Sequence, residues 1–220
     1  MSEPDVFFST ADVSHVAEKL QQVTAEYEAL FGNLSKQIYI SIAALDNPSD
    51  EIAVALQYIN DASQAFTQNF GNNHSVACGK GCHHCCHFPI TVPQQTVADI
   101  SKHIIETHSE EDIEDLKGKL EHNITVRQAP LYRAPCPFLD SENACSIYAH
   151  RPLSCRWFSS PDANVCEQSL HDGRDIQQHP VQSRIYQAAS DALLAKQKAR
   201  SGSDQQMPFI PSLLDALNVK

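Results

Sequence analysis

Cysteine is absent from the first 77 and the last 54 residues of this 220-residue chain, and all eight cysteines lie between Cys78 and Cys166. The sequence also lacks an apolar run near 18 residues, so we expect a soluble protein without a membrane-spanning helix. Its start, MSEPDVFFST, has no basic segment before an apolar stretch, and we therefore expect no secretory signal and a cytoplasmic location. In that compartment clustered cysteines are more often metal ligands or redox groups than disulfides, which makes a secreted disulfide scaffold the weakest interpretation.

Basic residues are also scarce. Sixteen Lys and Arg stand against twenty-seven Asp and Glu, for a formal net charge of −11. A nucleic-acid-binding domain usually carries a basic stripe, and none is visible in the cysteine window. We expect no nucleic acid and no membrane as partners, whereas a protein partner stays open. The sequence contains no Gly-rich phosphate loop, no Ser-His-Asp order and no HExxH motif, so no substrate can be named.

Apolar residues spaced three and four apart predict α-helices at both ends of the chain. Residues 1–72 are expected to form a helical hairpin. Ser9 or Thr10 caps its first helix, and Ser49 caps its second after the Asn47-Pro48 break. The first helix has one stripe that we expect to be buried: Val13, Val16, Leu20, Val23, Tyr27, Leu30, Leu34, Ile38, Ile42 and Leu45.

The centre of the chain, residues 73–179, follows no such period outside two inserted helices. One of these helices opens near Pro93 and the other is capped by Ser109. Between residues 129 and 179 we expect at most a turn or two of helix, and so long an irregular stretch needs something other than a core to hold it. Residues 180–220 then form a C-terminal helix that packs on the rest. The predicted fold class is all-α, with a helical hairpin and further helices around an irregular, cysteine-rich, metal-held centre.

Every cysteine is a candidate metal ligand. The dense part has the spacing Cys-x3-Cys-x2-Cys-Cys, with Gly79 and Gly81 available for a tight ligand loop. Eight sulfurs equal two four-cysteine sites, although one site is also possible, and the group held is zinc or an iron–sulfur cluster. The candidate ligands are Cys78, Cys82, Cys85, Cys86, Cys136, Cys145, Cys155 and Cys166.

Some assignments stay open at this point. The adjacent Cys85 and Cys86 either serve two sites, or one ligates while the other packs or reacts. Three histidines, His83, His84 and His87, are alternative ligands, although surface or supporting positions are commoner for such residues. The Cys136-Pro137 pair and the doubled cysteine favour an iron–sulfur cluster slightly over zinc. Either group would offset part of the entropy of ordering about fifty residues at roughly 1–2 kcal/mol each.

Three blocks, CGKGCHHCC, CPFLD and CSIYAHRPLSCRWF, resemble the YkgJ-type cysteine cluster family of zinc- or iron-chelating domains. The resemblance runs from about Cys78 to Cys166 and leaves the helical ends uncovered. It implies metal chelation and no settled reaction. An enzyme that methylates flagellin lysines is similar in its cysteine cluster, and there an iron–sulfur centre and S-adenosylmethionine are implied. Of the eight cysteines, Cys166 lies outside the blocks that match.

Three function classes therefore stay open. The first is a cytoplasmic metal-binding protein. The second is an iron–sulfur-dependent enzyme, such as an S-adenosylmethionine-using protein methyltransferase, although the (β/α) barrel of the radical superfamily is not indicated. The third is a thiol redox or metal-delivery protein. Arg151 and Arg156, which flank the later cysteines, either satisfy carbonyls and thiolate charge or bind an anionic group.

Overall fold

The structure is a computed structural model that describes residues 9–70 and 76–219. Within these residues it is mostly helical, which confirms the predicted all-α class. The described residues contain eight α-helices: α1 (Thr10–Ile42), α2 (Pro48–Phe70), α3 (Gln94–Thr107), α4 (Glu110–Val126), α5 (Leu153–Trp157), α6 (Ala163–Asp172), α7 (Pro180–Ser201) and α8 (Phe209–Asn218). Two 3-10 turns, His84–His87 and Tyr148–His150, lie in the cysteine-rich centre.

The two N-terminal helices begin at capped positions. Ser9 accepts a hydrogen bond from the backbone of Asp12, and this confirms the predicted cap of α1. The cap predicted for α2 was wrong, because the helix starts at Pro48 and the side chain of Asn47 accepts from the backbone N–H of Ser49 at 3.1 Å. Proline suits the first helical position because it has no N–H to satisfy there.

The stripe predicted to be buried along α1 is buried only in its C-terminal half. Ile38 and Ile42 are fully buried, whereas Leu20 and Val23 are 62% and 61% exposed. Helix α7, the main partner of α1, starts at Pro180, whose carbonyl oxygen lies 3.5 Å from the Tyr27 hydroxyl. Val13, Val16, Leu20 and Val23 precede Tyr27, before the point where α7 begins, and for this reason they are not covered by α7. Leu30, also predicted to be buried, is 62% exposed, and the adjacent Phe31 is buried instead.

Two hydrophobic cores flank the cysteine-rich centre. The first is formed by α1, α2 and α7 around Ile59 and Leu193, and the centre adds Leu153 to it. The second is formed by α3, α4 and α8, and here the centre adds Phe138 and Ile147. Because buried apolar side chains anchor the centre on both sides, its loops are held between two helical layers.

The second core includes most of the elements predicted from the middle and end of the chain. Helix α4 begins with a reciprocal capping box between Ser109 and Asp112, as the sequence indicates. Helix α8 packs on α3 and α4. One element was not predicted: strands β1 (Thr91–Val92) and β2 (Met207–Pro208) pair antiparallel, and this pairing ties the entry of α3 to that of α8.

Helix α6, three turns long, was also missed in the stretch expected to be irregular. The side chain of Asp162 caps it, accepting from the backbone of Asn164 and Val165, and Gly173 ends it with a φ of 72°. Its buried residues are Cys166 and Ser169. A buried face made of small and polar residues gives no apolar period, although the Asp and Gly at its ends were usable signals.

No helix in the part of the chain that the structure describes is both long enough and apolar enough to cross a membrane.

Candidate metal centre

The first four cysteines lie on a tight turn and the 3-10 turn after it. The backbone N–H of Cys82 donates to the carbonyl of Gly79 at 3.1 Å, and Gly81 has a φ of 86°. Glycine adopts this left-handed conformation without the steric cost that a Cβ would add. Of the two glycines singled out in the sequence, Gly81 therefore has the backbone conformation expected of a ligand loop. Cys85 and Cys86 follow on His84–His87.

Cys136 and Cys145 lie on the two arms of a short loop. Leu139 and Cys145 form an isolated antiparallel bridge, and a carboxylate oxygen of Asp140 accepts from the backbone of Glu142 and Ala144, each at 2.8 Å. The sequence reasoning missed Asp140, although an aspartate that accepts from the backbone two residues later is a known turn signal. This carboxylate fixes the loop that brings the two cysteines together.

The last two cysteines lie on short helices, Cys155 on α5 and Cys166 on α6. Helix α6 contacts the 3-10 turn His84–His87. The carbonyl of Ser160 accepts from the backbone of Ala77 at 2.8 Å and lies 3.9 Å from the Cys78 sulfur. Cys78 and Cys166 are therefore brought to the same side of the turn. All eight cysteines are free of disulfides.

One cavity of about 40 Å³ is lined by five of the cysteines, Cys85, Cys86, Cys136, Cys145 and Cys155. Arg127 and Arg151 contribute the cationic side chains of its wall. The remainder is almost entirely apolar and comes from Phe88, Ile90, Phe138, Ile147, Pro152, Phe209 and Ile210. We call this space the cysteine cavity.

Four of these thiols interact mutually. In each of the six pairs among Cys86, Cys136, Cys145 and Cys155, the charge of one thiolate raises the pKa of another. Burial is the larger cause, and together with these charges it raises the pKa of Cys136 to about 11 and that of Cys155 to about 12. Like charges crowded in an apolar space disfavour ionisation unless a cation balances them.

The adjacent pair behaves differently. The hydrogen bond with Cys86, followed by burial, raises the pKa of Cys85. The same hydrogen bond lowers the pKa of Cys86 to about 7, and the charges of Arg151 and His83 act in the same direction. Cys86 is thus the member of the pair whose thiolate is stabilised.

A second set consists of Cys78, Cys82 and Cys166. Burial raises the pKa of Cys82, and the charges of Cys78 and Cys166 raise it further. Beside this set, the Nδ1 atom of His84 is buried and has no hydrogen-bond partner among the described residues. The other two histidines of the turn are engaged, since His83 Nδ1 lies 3.2 Å from the Gly81 carbonyl and His87 Nδ1 lies 3.2 Å from the His83 carbonyl.

The two arginines have separate tasks. Arg156 donates to the carbonyls of Arg151, Tyr148 and Ala149 at 3.0, 3.1 and 2.6 Å. Arg151 donates to the carbonyl of Cys155. Burial alone would lower the pKa of Arg151, but the surrounding thiolates, Cys155 foremost, raise it above its usual value. Arg156 therefore satisfies backbone carbonyls, and Arg151 balances thiolate charge.

Within residues 9–70 and 76–219, no three His, Cys, Asp or Glu side chains converge to form a site that could hold a metal ion. The five thiols of the cysteine cavity surround a space and do not meet at a point. The eight predicted ligands are thus divided into a group of five around the cavity and a group of three beside α6.

Comparison with known proteins supports the family resemblance and does not distinguish zinc from iron. No curated protein and no solved structure matches the chain. Residues 77–182 match the CxxCxxCC family model, described as "Putative zinc- or iron-chelating domain". This range includes all eight cysteines and both sets of thiols, with one additional residue between Cys78 and Cys82 relative to the spacing in the family's name. Residues 77–182 are therefore similar to this family of zinc- or iron-chelating domains.

Proposed function

We propose that this protein binds an iron–sulfur cluster through the thiolates of Cys86, Cys136, Cys145 and Cys155. The observation that carries the proposal is the cysteine cavity, in which these four mutually interacting thiols line one mostly apolar space. Four cysteines are the usual ligand set of both [2Fe–2S] and [4Fe–4S] clusters.

The cavity favours a cluster over a single zinc ion. Four sulfurs that hold zinc lie about 2.3 Å from one point and leave no space between them. The ligands of a cluster bind different irons and stand around a larger group. The thiols here surround about 40 Å³ of space and do not converge, which suits the second arrangement.

The charge balance and the surroundings support the same site. Four thiolates around a cluster carry net negative charge, and Arg151 lies beside them. The apolar wall limits access of water to the sulfurs, a condition that tunes cluster potentials. Arg127 adds a second cation on the side of Cys136.

The remaining cysteines support a second, smaller metal site. Cys78, Cys82 and Cys166 interact, and the unpartnered Nδ1 of His84 is available as a fourth ligand beside them. A Cys₃His set is a common zinc ligand set, and zinc binding here would require these side chains to move together, because they do not converge in the described structure.

The test is the metal and acid-labile sulfide content of the full chain purified without oxygen. We expect about four irons and matching sulfide per chain for a [4Fe–4S] cluster, or about two for a [2Fe–2S] cluster. Substitution Cys145→Ser should remove the iron and sulfide. Substitution Cys166→Ser, the matched change in the other set, should leave them bound while lowering any zinc.

Other outcomes would contradict the proposal in distinct ways. Zinc without sulfide would make the whole centre a structural zinc site. Iron lost equally in both variants would show that the two sets form one site. Protein that retains no metal when purified without oxygen, with normal helical circular dichroism, would overturn metal binding altogether.

A further inference from the structure

The N-terminal part of α1 carries an apolar stripe that the rest of the described chain leaves largely uncovered. Its side chains are between 49% and 62% exposed, apart from one half-buried tyrosine. They are Val13, Val16, Leu20, Val23, Tyr27 and Leu30. Most helices in proteins are stabilised by packing an apolar face, and a contiguous apolar patch left exposed marks a site of interaction. We call these six residues the α1 stripe.

The spacing of the α1 stripe identifies the kind of partner. From Val13 to Leu34 the apolar residues are alternately three and four apart, in six steps that cover 21 residues, with an average of 3.5. This is the heptad repeat of a coiled coil, in which one helix lies along another. Beyond Leu34 the steps to Ile38 and Ile42 are both four, and these two residues are fully buried in the first core. The period therefore changes where burial within the chain begins, which indicates that the α1 stripe is suited to a separate helix.

The charged residues beside the stripe indicate which helix. With Val13 and Val16 as the first a and d positions, the positions that flank the seam are g and e. The g positions are Asp12, Lys19 and Glu26, and the e positions between them are Ala17 and Thr24. In a parallel coiled coil a g residue faces an e residue of the other helix, whereas in an antiparallel one it faces a g residue. Charges of both signs at g, with none at e, therefore favour an antiparallel partner with the same g positions.

We propose that this partner is a second copy of the chain, and that two copies associate through an antiparallel coiled coil of their α1 stripes. The register that places Val13 against Leu30 of the second copy also sets Lys19 beside Glu26 of the second copy. Because this pairing has two-fold symmetry, each contact occurs twice and both stripes are covered along their whole length. The first core is built on the C-terminal half of α1, so the antiparallel direction also keeps the two cores at opposite ends. This association does not depend on which metal the cysteine cavity holds.

The first measurement is sedimentation equilibrium of the full, metal-loaded chain, in reductant so that no disulfide links two copies. We expect a reversible monomer–dimer equilibrium at micromolar concentration, with a dimer mass of twice 24.4 kDa. Leu20→Lys places a charge near the middle of the seam in both copies and should weaken association by about tenfold or more. Gln21→Lys adds the same charge at an exposed position beside the stripe and is the matched control, for which we expect unchanged association.

Charge reversal tests the direction of the two helices. Lys19→Glu and Glu26→Lys each set like charges against one another twice, and each should weaken association roughly fivefold to tenfold at low salt. The double variant restores opposite charges and should recover the original affinity. In a parallel pair Lys19 and Glu26 would face Thr24 and Phe31 of the second copy, which carry no charge, so the single changes would have little effect.

Three results would overturn the proposal. A monomer mass at every concentration up to several hundred micromolar would show that no second copy covers the stripe, and would point to a helix of a different protein. A dimer that Leu20→Lys leaves unchanged, with the circular dichroism of the parent chain, would place the interface elsewhere. Weakened association that the double charge reversal fails to restore would contradict the antiparallel register.

Discussion

Arg127 links helix α4 to the cysteine-bearing loops, and its removal should destabilise the protein strongly. Its Nε donates to the side-chain oxygen of Asn123 at 2.8 Å, and its terminal nitrogens donate to the carbonyls of His87, Tyr132 and Ala134 at 3.2, 3.1 and 3.4 Å. Asn123 is buried and itself donates to the carbonyl of Pro135 at 2.6 Å. One guanidinium thus fixes the segment before Cys136 and the turn after Cys86.

The expected loss in the free energy of unfolding follows from these contacts. Three of the four bonds are partly buried, and each contributes about 1 kcal/mol net in substitution series. Arg127→Leu should therefore lower the free energy of unfolding by about 3 kcal/mol. For a chain of this size that corresponds to a fall in Tm of roughly 6–12 °C. Arg127→Lys should recover only a small part, because an ammonium cannot span four acceptors in different directions.

The assay is thermal unfolding followed by circular dichroism, with metal content measured on the same samples. Arg174→Leu is the matched control, since Arg174 is exposed and, among the described residues, its side chain bonds to Asp172 and Gln168 nearby in sequence. We expect that control to change the free energy of unfolding by no more than about 1 kcal/mol. The reasoning is refuted if Arg127→Leu unfolds within 2 °C of the control and keeps the same metal content.

Three further predictions concern the two cores and the surface. Leu193→Ala, at a fully buried position of α7, should cost about 2–5 kcal/mol in denaturant unfolding, and a cost below about 1 kcal/mol would contradict the described packing. Arg200→Met should cost about 3–5 kcal/mol and more than Glu51→Gln, because it leaves the fully buried carboxylate of Glu51 without its ion-pair partner; equal costs in urea titrations would argue against that pair. His103 stacks on His150 with centroids 3.9 Å apart, and desolvation, followed by the charges of His150 and His108, lowers its pKa below 6.5. Its contribution to stability is therefore present above about pH 6.5 and lost as the pH falls through the lower folded value, so histidine NMR should show His103 titrating below its value in the urea-unfolded chain.

Helix positions were the part of the fold that local sequence determined well. Ser109 and Asp112 form their capping box within four residues, and Pro180 occupies the first position of α7, where proline is favoured. Such features depend on neighbouring backbone groups and on a period of 3.6 residues, which a single sequence contains. The same logic failed on α6, whose buried face is formed by Cys166 and Ser169 and gives no apolar period.

Burial along α1 required tertiary information. The apolar spacing is continuous from Val13 to Ile42, yet only the half beside α7 is buried, because α7 starts next to Tyr27. The position at which a partner helix begins depends on the folded chain, and it cannot be read from the apolar spacing of α1 alone. The division of the chain at residues 72 and 179 stays a prediction for the same reason.

The sequence by itself determined that the candidate site lies between Cys78 and Cys166 and consists mainly of thiols, since residue type and dense spacing are local properties. Which thiols face one another was decided only by the tertiary structure. Cys86 is 50 residues from Cys136 and one from Cys85, yet Cys86, Cys136, Cys145 and Cys155 interact around one cavity, while Cys82 interacts with Cys78 and Cys166. Phe138 and Ile147 pack into one core and Leu153 into the other, and this packing positions the loops that carry the cysteines. Contacts between residues so far apart in the chain leave no spacing pattern in the sequence.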